Sequence, residues 1–413
     1  MTRPLLDLDF VRRQFPPLGN GWIMLENAGG SYVPQSVIDR VTAYMREVQI
    51  QPSWDFGPSA DAAARIAAGR RQMAEMINAE PEEVSIGPST TLNVFLLMQA
   101  IRHWFRPGDE VIVTNQDHEA NIGAWRRLAD DGVVIREWQI DPVTGELDET
   151  ALERLLGPRT RLVCFTHCSN IVATIHDVAR LARRIHQAGA LVMVDGVACA
   201  PHRHVDVKAL DVDFYAFSLY KVFGPHQGLL YGKREHLLKA RGLNHFFIGE
   251  DEIPLKLLPG GVNHEFTAGL TGIADYFDAL YAHHFKTPEN SFLARARRVY
   301  ELIARHEEAL ANQTLDFLRE RKKVRLIGQA RADGRRAPTI SFTVEGMSSR
   351  RIAEALNARK IAIGYGDFYA KRCIDALGTA PQDGVVRIGL AHYNSADELA
   401  RALEALDSVI AKG

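Results

Sequence analysis

The sequence predicts an α/β protein in which a large domain, built on a mostly parallel sheet, precedes a smaller α+β domain. Two observations carry that expectation. From about residue 84 to 232, short apolar runs alternate with amphipathic stretches. After about residue 285 the order changes to strand, strand, helix, strand, helix.

The apolar runs at 84–86, 111–114, 133–138, 162–166, 191–195, 214–217 and 229–231 are mostly rich in β-branched or aromatic residues. They carry little polar alternation, as strands covered on both faces do. Helical patterns at 92–104, 122–130, 147–156 and 178–187 lie between them. Such alternation implies a mostly parallel sheet with helices on both faces. Helical periodicity then runs from 268 to about 318, with Phe292, Ala296, Val299 and Ile303 on one apolar stripe. Strands are expected at 324–327, 339–344 and 385–389, and a helix at 352–357. Ser395 and Glu398 form a capping box for a last helix. The polar stretch 328–336 reads as a loop. The expected division is an N-terminal segment (1–30) that packs on the small domain or on a partner subunit, a large domain (31–285) and a small domain (286–413).

Of the 413 residues, 46% are hydrophobic and 24% charged, and the formal net charge is −2. A chain of this kind can bury a large core. Nothing in its charge favours nucleic acid or a membrane surface. No apolar run reaches the roughly 18 residues that a bilayer span needs. The first residues lack the apolar core of a signal peptide, so a cytoplasmic protein is expected. Cys164, Cys168, Cys199 and Cys373 have no Cys-x-x-Cys spacing. Reduced thiols are therefore expected, not a disulfide framework or a metal site.

The run at 191–195 ends in Asp195, and the run at 214–217 leads into Ser218-Leu219-Tyr220-Lys221 before a turn at Gly224-Pro225. Ligands of such sheets sit beyond the carboxyl ends of the strands, where both residues fall. A lysine and an aspartate are the pair that pyridoxal phosphate needs. The amine forms a Schiff base, and the carboxylate keeps the pyridine nitrogen protonated. Each residue also has a plainer role: Asp195 as a loop cap, Lys221 as a solvated lysine.

Three further segments suit the same cofactor. Gly87-Pro88-Ser89-Thr90-Thr91 opens an apolar helix. Ser89 and Thr90 fit a phosphate dianion at the helix start, or simply cap it. His118, just past a strand, suits stacking on a flat ring or a place at the surface. Asn170, in His167-Cys168-Ser169-Asn170, suits a hydrogen bond to a phenolic oxygen or an Asx-turn.

Taken in order from Glu26-Asn27-Ala28-Gly29-Gly30 to Arg387-Ile388-Gly389-Leu390-Ala391-His392-Tyr393-Asn394, these segments resemble the class V aminotransferase family of pyridoxal-phosphate enzymes. Within it they are most similar to the cysteine desulfurase and selenocysteine lyase branch. The resemblance implies the fold-type I, aspartate aminotransferase-like architecture. It implies that Lys221 forms the Schiff base and moves protons at the substrate α-carbon. Asp195 would pair with the pyridine nitrogen, His118 stack on the ring and Asn170 contact the ring hydroxyl. Ser89, Thr90, Ser218 and Tyr220 would hold the phosphate. Arg387 would clamp the α-carboxylate of a small amino acid, a task suited to a planar bidentate donor. Asn27, Ala28 and Tyr369 would lie beside the substrate. A homodimer is implied as well, with the loop 259–264 near the partner's phosphate site, although Gly261 replaces the usual threonine there.

Three departures from the branch stand out. Tyr220 replaces a histidine before the lysine, and Ala198 replaces a glutamine after the aspartate. Tyr369, in Gly366-Asp367-Phe368-Tyr369-Ala370, takes the place of the nucleophilic cysteine, and Cys373 follows four residues later. The expected activity is C–S bond cleavage in an amino acid. Transamination or epimerisation is the first alternative, and a non-catalytic protein of the same fold the second. Cys373 as a sulfur acceptor is the less favoured of its two readings, the other being inert packing.

Overall fold

The computed structural model describes residues 4–412; positions 1–3, part of the stretch read as lacking a signal peptide, lie outside the described residues. In chain order the strands are β1 (Ile23–Met24), β2 (Val84–Gly87), β3 (Glu110–Thr114), β4 (Val134–Trp138), β5 (Thr160–Thr166), β6 (Leu191–Asp195), β7 (Phe214–Ser218), β8 (Gly228–Gly232), β9 (Val324–Leu326), β10 (Thr339–Val344), β11 (Ile361–Ala362), β12 (Gly364–Gly366) and β13 (Val385–Gly389).

The large sheet has the order β2-β8-β7-β6-β5-β3-β4. Only β8 runs antiparallel to its neighbours. All seven apolar runs read from the sequence lie in it. Successive side chains point to opposite faces, and both faces are covered. Val111, Val113, Leu162, Cys164 and Met193 pack against the helices Thr90–Ile101 and Glu119–Arg126. Ile112, Val163, Phe165, Val192 and Val194 pack on the other side with Val178–Gln187 and Phe292–Arg319. This two-sided burial is why the runs show no polar alternation.

The second sheet is antiparallel, in the order β12-β13-β10-β9. β1 pairs in parallel with β11, and Glu26 bridges Gly389. The N-terminal helix Leu8–Arg13 reaches the last helix, Ala396–Ile410, through Arg12 and Glu398 at 2.8 Å. Residues 24–30 are thereby drawn against the end of β13. The capping box of Ser395 and Glu398 is present.

Three expectations need correction. The helical stretch at 268–318 is three helices, His264–Gly269, Thr271–His284 and Phe292–Arg319; Pro288 and the polar residues around it make the second break, and the first falls at Leu270. The strands β11 and β12 add two pieces to the small domain, where glycines at 364 and 366 hid the alternation. The loop at 328–336 is not wholly solvated. Arg336 is fully buried and donates to the carbonyls of Gln329 (2.6 Å) and Thr339 (3.2 Å). The helix Gly57–Met76 also went unread. It packs through small residues, and a Cβ on Gly69 would stand 1.8 Å from the Thr267 carbonyl oxygen, so it lacks a bulky apolar stripe. Among the described residues, no helix is long and apolar enough to cross a membrane.

Candidate active site

A cleft opens where β5, β6 and β7 end, and Ser89, Thr90, His118, Asn170, Asp195, Ser218, Tyr220 and Lys221 all line it. Residues spread over more than 130 positions meet there because parallel strands deliver their carboxyl ends to one edge.

Asp195 is the last residue of β6 and is 3% exposed. Its Oδ1 accepts from the Val197 N–H at 2.8 Å. Burial raises its pKa to about 6, against the opposing pull of the Val197 N–H and Lys221. Lys221 closes a single turn after β7 and is buried, not solvated. Its Nζ donates to the Ala28 carbonyl at 2.6 Å. Burial and the charge of Arg387 lower its pKa to about 8. The turn is held tightly. Phe223 adopts a left-handed φ of +63°, and its N–H donates to Ser31 Oγ at 3.0 Å. A bulky residue there is strained unless its surroundings fix it.

Thr90 Oγ1 and Ser218 Oγ, both on the cleft, are 2.8 Å apart. Ser89 caps the helix by accepting from the Leu92 N–H at 3.1 Å. The helix start lies so close to β8 that a Cβ on Gly228 would stand 2.5 Å from the Thr90 nitrogen. Tyr220 stacks on His226, with ring centroids 4.9 Å apart.

His118 caps the helix Glu119–Arg126 by accepting the Ala120 N–H on Nδ1 at 3.0 Å. The neutral ring therefore carries its proton on Nε2. Burial, with the charges of Lys221 and Arg387, lowers its pKa to about 4. Asn170 makes no Asx-turn with its side chain. Its Nδ2 donates to the Phe368 carbonyl at 3.0 Å, and its buried Oδ1 has no partner.

Arg387 sits on β13 and is 2% exposed, so it is no surface arginine. Its Nη1 donates to the Asn170 carbonyl at 3.3 Å, its Nη2 pairs with Glu26, and the Phe368 ring lies 3.6 Å from its central carbon. Burial pulls its pKa down, opposed by Glu26. Tyr369 is 74% exposed. Phe368 and Tyr369 have left-handed φ values of +49° and +60°. The Tyr369 ring lies 5.4 Å from that of His118, and its carbonyl accepts from the Glu119 N–H at 2.8 Å.

Two of the residues placed beside the substrate behave otherwise. Asn27 does not face the cleft. Its amide donates to Gly389 O (2.8 Å) and Asn394 Oδ1 (3.1 Å) and accepts from the Tyr393 hydroxyl. Ala28 reaches the site only by its carbonyl. Cys373 is fully buried, and burial lifts its pKa to about 12. Cys168 borders the cleft but is 1% exposed, and its thiol points at the Ala173 carbonyl. Neither thiol is a reactive nucleophile. Glu26 and Phe368 escaped the sequence reading as site residues. Glu26 stands inside a quoted motif, but its pairing with Arg387 arises only when the N-terminal segment meets β13.

The Aminotransferase class-V family model matches residues 23–278 and 292–402. The chain belongs to the class V aminotransferase family. This class V protein is 37% identical to the aminotransferase-like protein FGM3 of Gibberella zeae, covering 99% of this chain and all of that one. It is 32% identical to the cysteine desulfurase-like protein ustD of Aspergillus flavus over 99% of this chain and 92% of that one. A cysteine desulfurase from Thermococcus onnurineus superposes with a TM-score of 0.87 at 25% identity, with both chains fully covered. The chain is thus a pyridoxal-phosphate-dependent enzyme of fold type I, in the cysteine desulfurase-like part of the family. The donor set has the groups that cofactor calls for: a buried amine for the aldehyde, a buried carboxylate for the ring nitrogen, paired hydroxyls for the phosphate, and the orphaned Oδ1 of Asn170 for the ring hydroxyl.

Proposed function

We propose that this enzyme takes the α-proton from a small amino acid and expels its β-substituent, acting as a C–S lyase. The observation that carries this reading is the meeting of Lys221 and Asp195 in one cleft that holds no accessible thiol, with Arg387 bonded to the cleft residue Asn170.

When bound, pyridoxal phosphate supplies an aldehyde for imine formation and an electron-accepting ring. Thr90 and Ser218 hold its phosphate, and His118 offers a neutral ring as the stacking partner. Asn170 Oδ1 accepts from the ring hydroxyl. Asp195, costly to ionise while buried alone, becomes a stable anion opposite the protonated ring nitrogen. Arg387 binds the substrate carboxylate and orients the α-hydrogen toward Lys221. An amine whose pKa is near 8 serves as a base at neutral pH far better than an ordinary lysine. With cysteine and water as reactants, the products are pyruvate, ammonia and hydrogen sulfide. The sulfur leaves to solvent because Tyr369 stands where a nucleophilic thiol would be.

Purified protein given cysteine or a cysteine conjugate is expected to release a thiol or sulfide together with pyruvate and ammonia in equal amounts. Absence of all three products defeats the reading. The similarity to an aminotransferase-like protein favours one second reading, transamination. That reaction gives a 2-oxo acid that keeps its side chain and releases no ammonia, so the same assay separates the two. A homodimer belongs to this proposal. Trp54 (64% exposed), Phe246 (99%) and Phe247 (68%) are large apolar residues left in solvent by one chain alone. Light scattering of the purified protein tests it.

A further inference from the structure

We infer that Glu26 is an internal competitor for the carboxylate clamp, a residue that substrate must displace and that sets the affinity for carboxylates. The inference rests on the reading of Arg387 as the clamp.

Arginine binds a carboxylate side-on through Nε and Nη2. Here Nη2 is taken by one oxygen of Glu26, while Arg387 Nε and Glu26 Oε2 are both buried and have no partner. The ion pair thus fills half of the fork and leaves one donor and one acceptor unsatisfied. Buried polar groups seldom stay unsatisfied in a finished structure, because each forfeits its hydration without a bond in return. Nη1 is held by the Asn170 carbonyl and Phe368 covers one face, so Nε and Nη2 are the edge left for substrate.

The berth for the Glu26 headgroup is built. A Cβ on Gly29 would stand 2.9 Å from Glu26 Oε1, and a Cβ on Gly364 would stand 2.8 Å from Oε2. Glycine at both positions is what lets the carboxylate lie against the guanidinium. The lock can also open, since the Glu26 side chain is 27% exposed while that of Arg387 is 3% exposed. A substrate carboxylate then replaces the Glu26 carboxylate, which swings to water. The exchange keeps one anion on Arg387 throughout, so it avoids both a bare buried cation and two anions on one fork. A tethered carboxylate competes at a high effective concentration, so it weakens every carboxylate that uses the same fork.

The test uses the cofactor-loaded protein and propionate, a carboxylate with no amine to react, with binding followed by calorimetry. Glu26→Gln keeps an acceptor for Nη2 but removes the charge. It is expected to bind propionate about tenfold more tightly than the wild type. Glu26→Asp keeps the charge with a shorter reach and is expected to fall between the two. Arg387→Lys is expected to weaken propionate at least tenfold in either background. Equal or weaker binding by Glu26→Gln, with Arg387 still required, overturns the competitor role and leaves the clamp standing. Should Glu26→Gln fail to fold by thermal melting, Glu26→Asp decides in the same way. Propionate affinity that is indifferent to Arg387→Lys overturns the clamp itself.

Discussion

The two walls of the cleft are built differently. One is the edge of the large sheet, where Asp195, Ser218 and Lys221 stand at or just past the ends of β6 and β7. The other is β13 with the N-terminal segment and the loop 366–370, which meets the cleft through the contacts of Arg387 and Phe368 with Asn170 and of Tyr369 with His118, and which holds Glu26 on Arg387. The sheet wall is regular backbone buried on both faces. The loop wall holds two successive residues at positive φ, an ion pair with unsatisfied atoms and an exposed tyrosine. Rigid elements position reacting groups well, whereas loops vary cheaply and set selection. Damage to the first wall should therefore abolish chemistry, and damage to the second should alter which molecules enter.

The largest effect belongs to Lys221→Ala. Turnover should fall at least about 10³-fold, since both the imine-forming amine and the proton carrier are lost. Product assays on the purified, cofactor-loaded variant measure it.

Next comes Asp195, read through stability. Its folded-state pKa of about 6 lies above its unfolded value, so the folded protein binds an extra proton between about pH 4 and 6. Ionisation is then penalised by folding. Cofactor-free wild type should lose about 3 kcal/mol of stability relative to Asp195→Asn as pH rises through that window. Added cofactor should close the gap by supplying a cation. Denaturant titrations at several pH values, with and without cofactor, give the comparison.

Gly228→Ala tests the seam where the sheet wall meets the phosphate end. The added methyl would overlap the backbone of Ser89 and Thr90. It should cost about 1–3 kcal/mol and loosen the cofactor, as read by melting and by cofactor retained on gel filtration.

The smallest effect is on the loop wall. Phe368→Ala removes an aromatic face from Arg387, worth about 0.5–2 kcal/mol. KM should rise severalfold while cofactor affinity stays unchanged. A fall in kcat of the size expected for Lys221→Ala would erase the distinction between the walls.

The same contrast governed what the sequence made legible. The runs that became β2 to β8 were readable because two-sided burial leaves an unbroken apolar signature. Asp195 and Lys221 were readable because strand ends place them predictably. The loop wall was not. Glu26 meets Arg387 across 361 positions, and no local pattern encodes such a contact. Asn27 was read as a neighbour of the substrate because its motif lies near the site, yet its amide is taken up by Gly389, Asn394 and Tyr393. Cys373 had an open role until its burial was known, since exposure decides thiol chemistry. The helix Gly57–Met76 gives no clear stripe because its close packing is through glycine and alanine, and its large apolar residues are only Ile66, Met73 and Met76.

Borohydride reduction of the cofactor-loaded protein, followed by peptide mapping, addresses the covalent bond on which the enzyme's chemistry rests. The reduced pyridoxyl group should be found on the peptide containing Lys221 and nowhere else, and Lys221→Ala should carry none. A label on a different lysine, or none on the wild type, would contradict the assignment of this cleft as the active site.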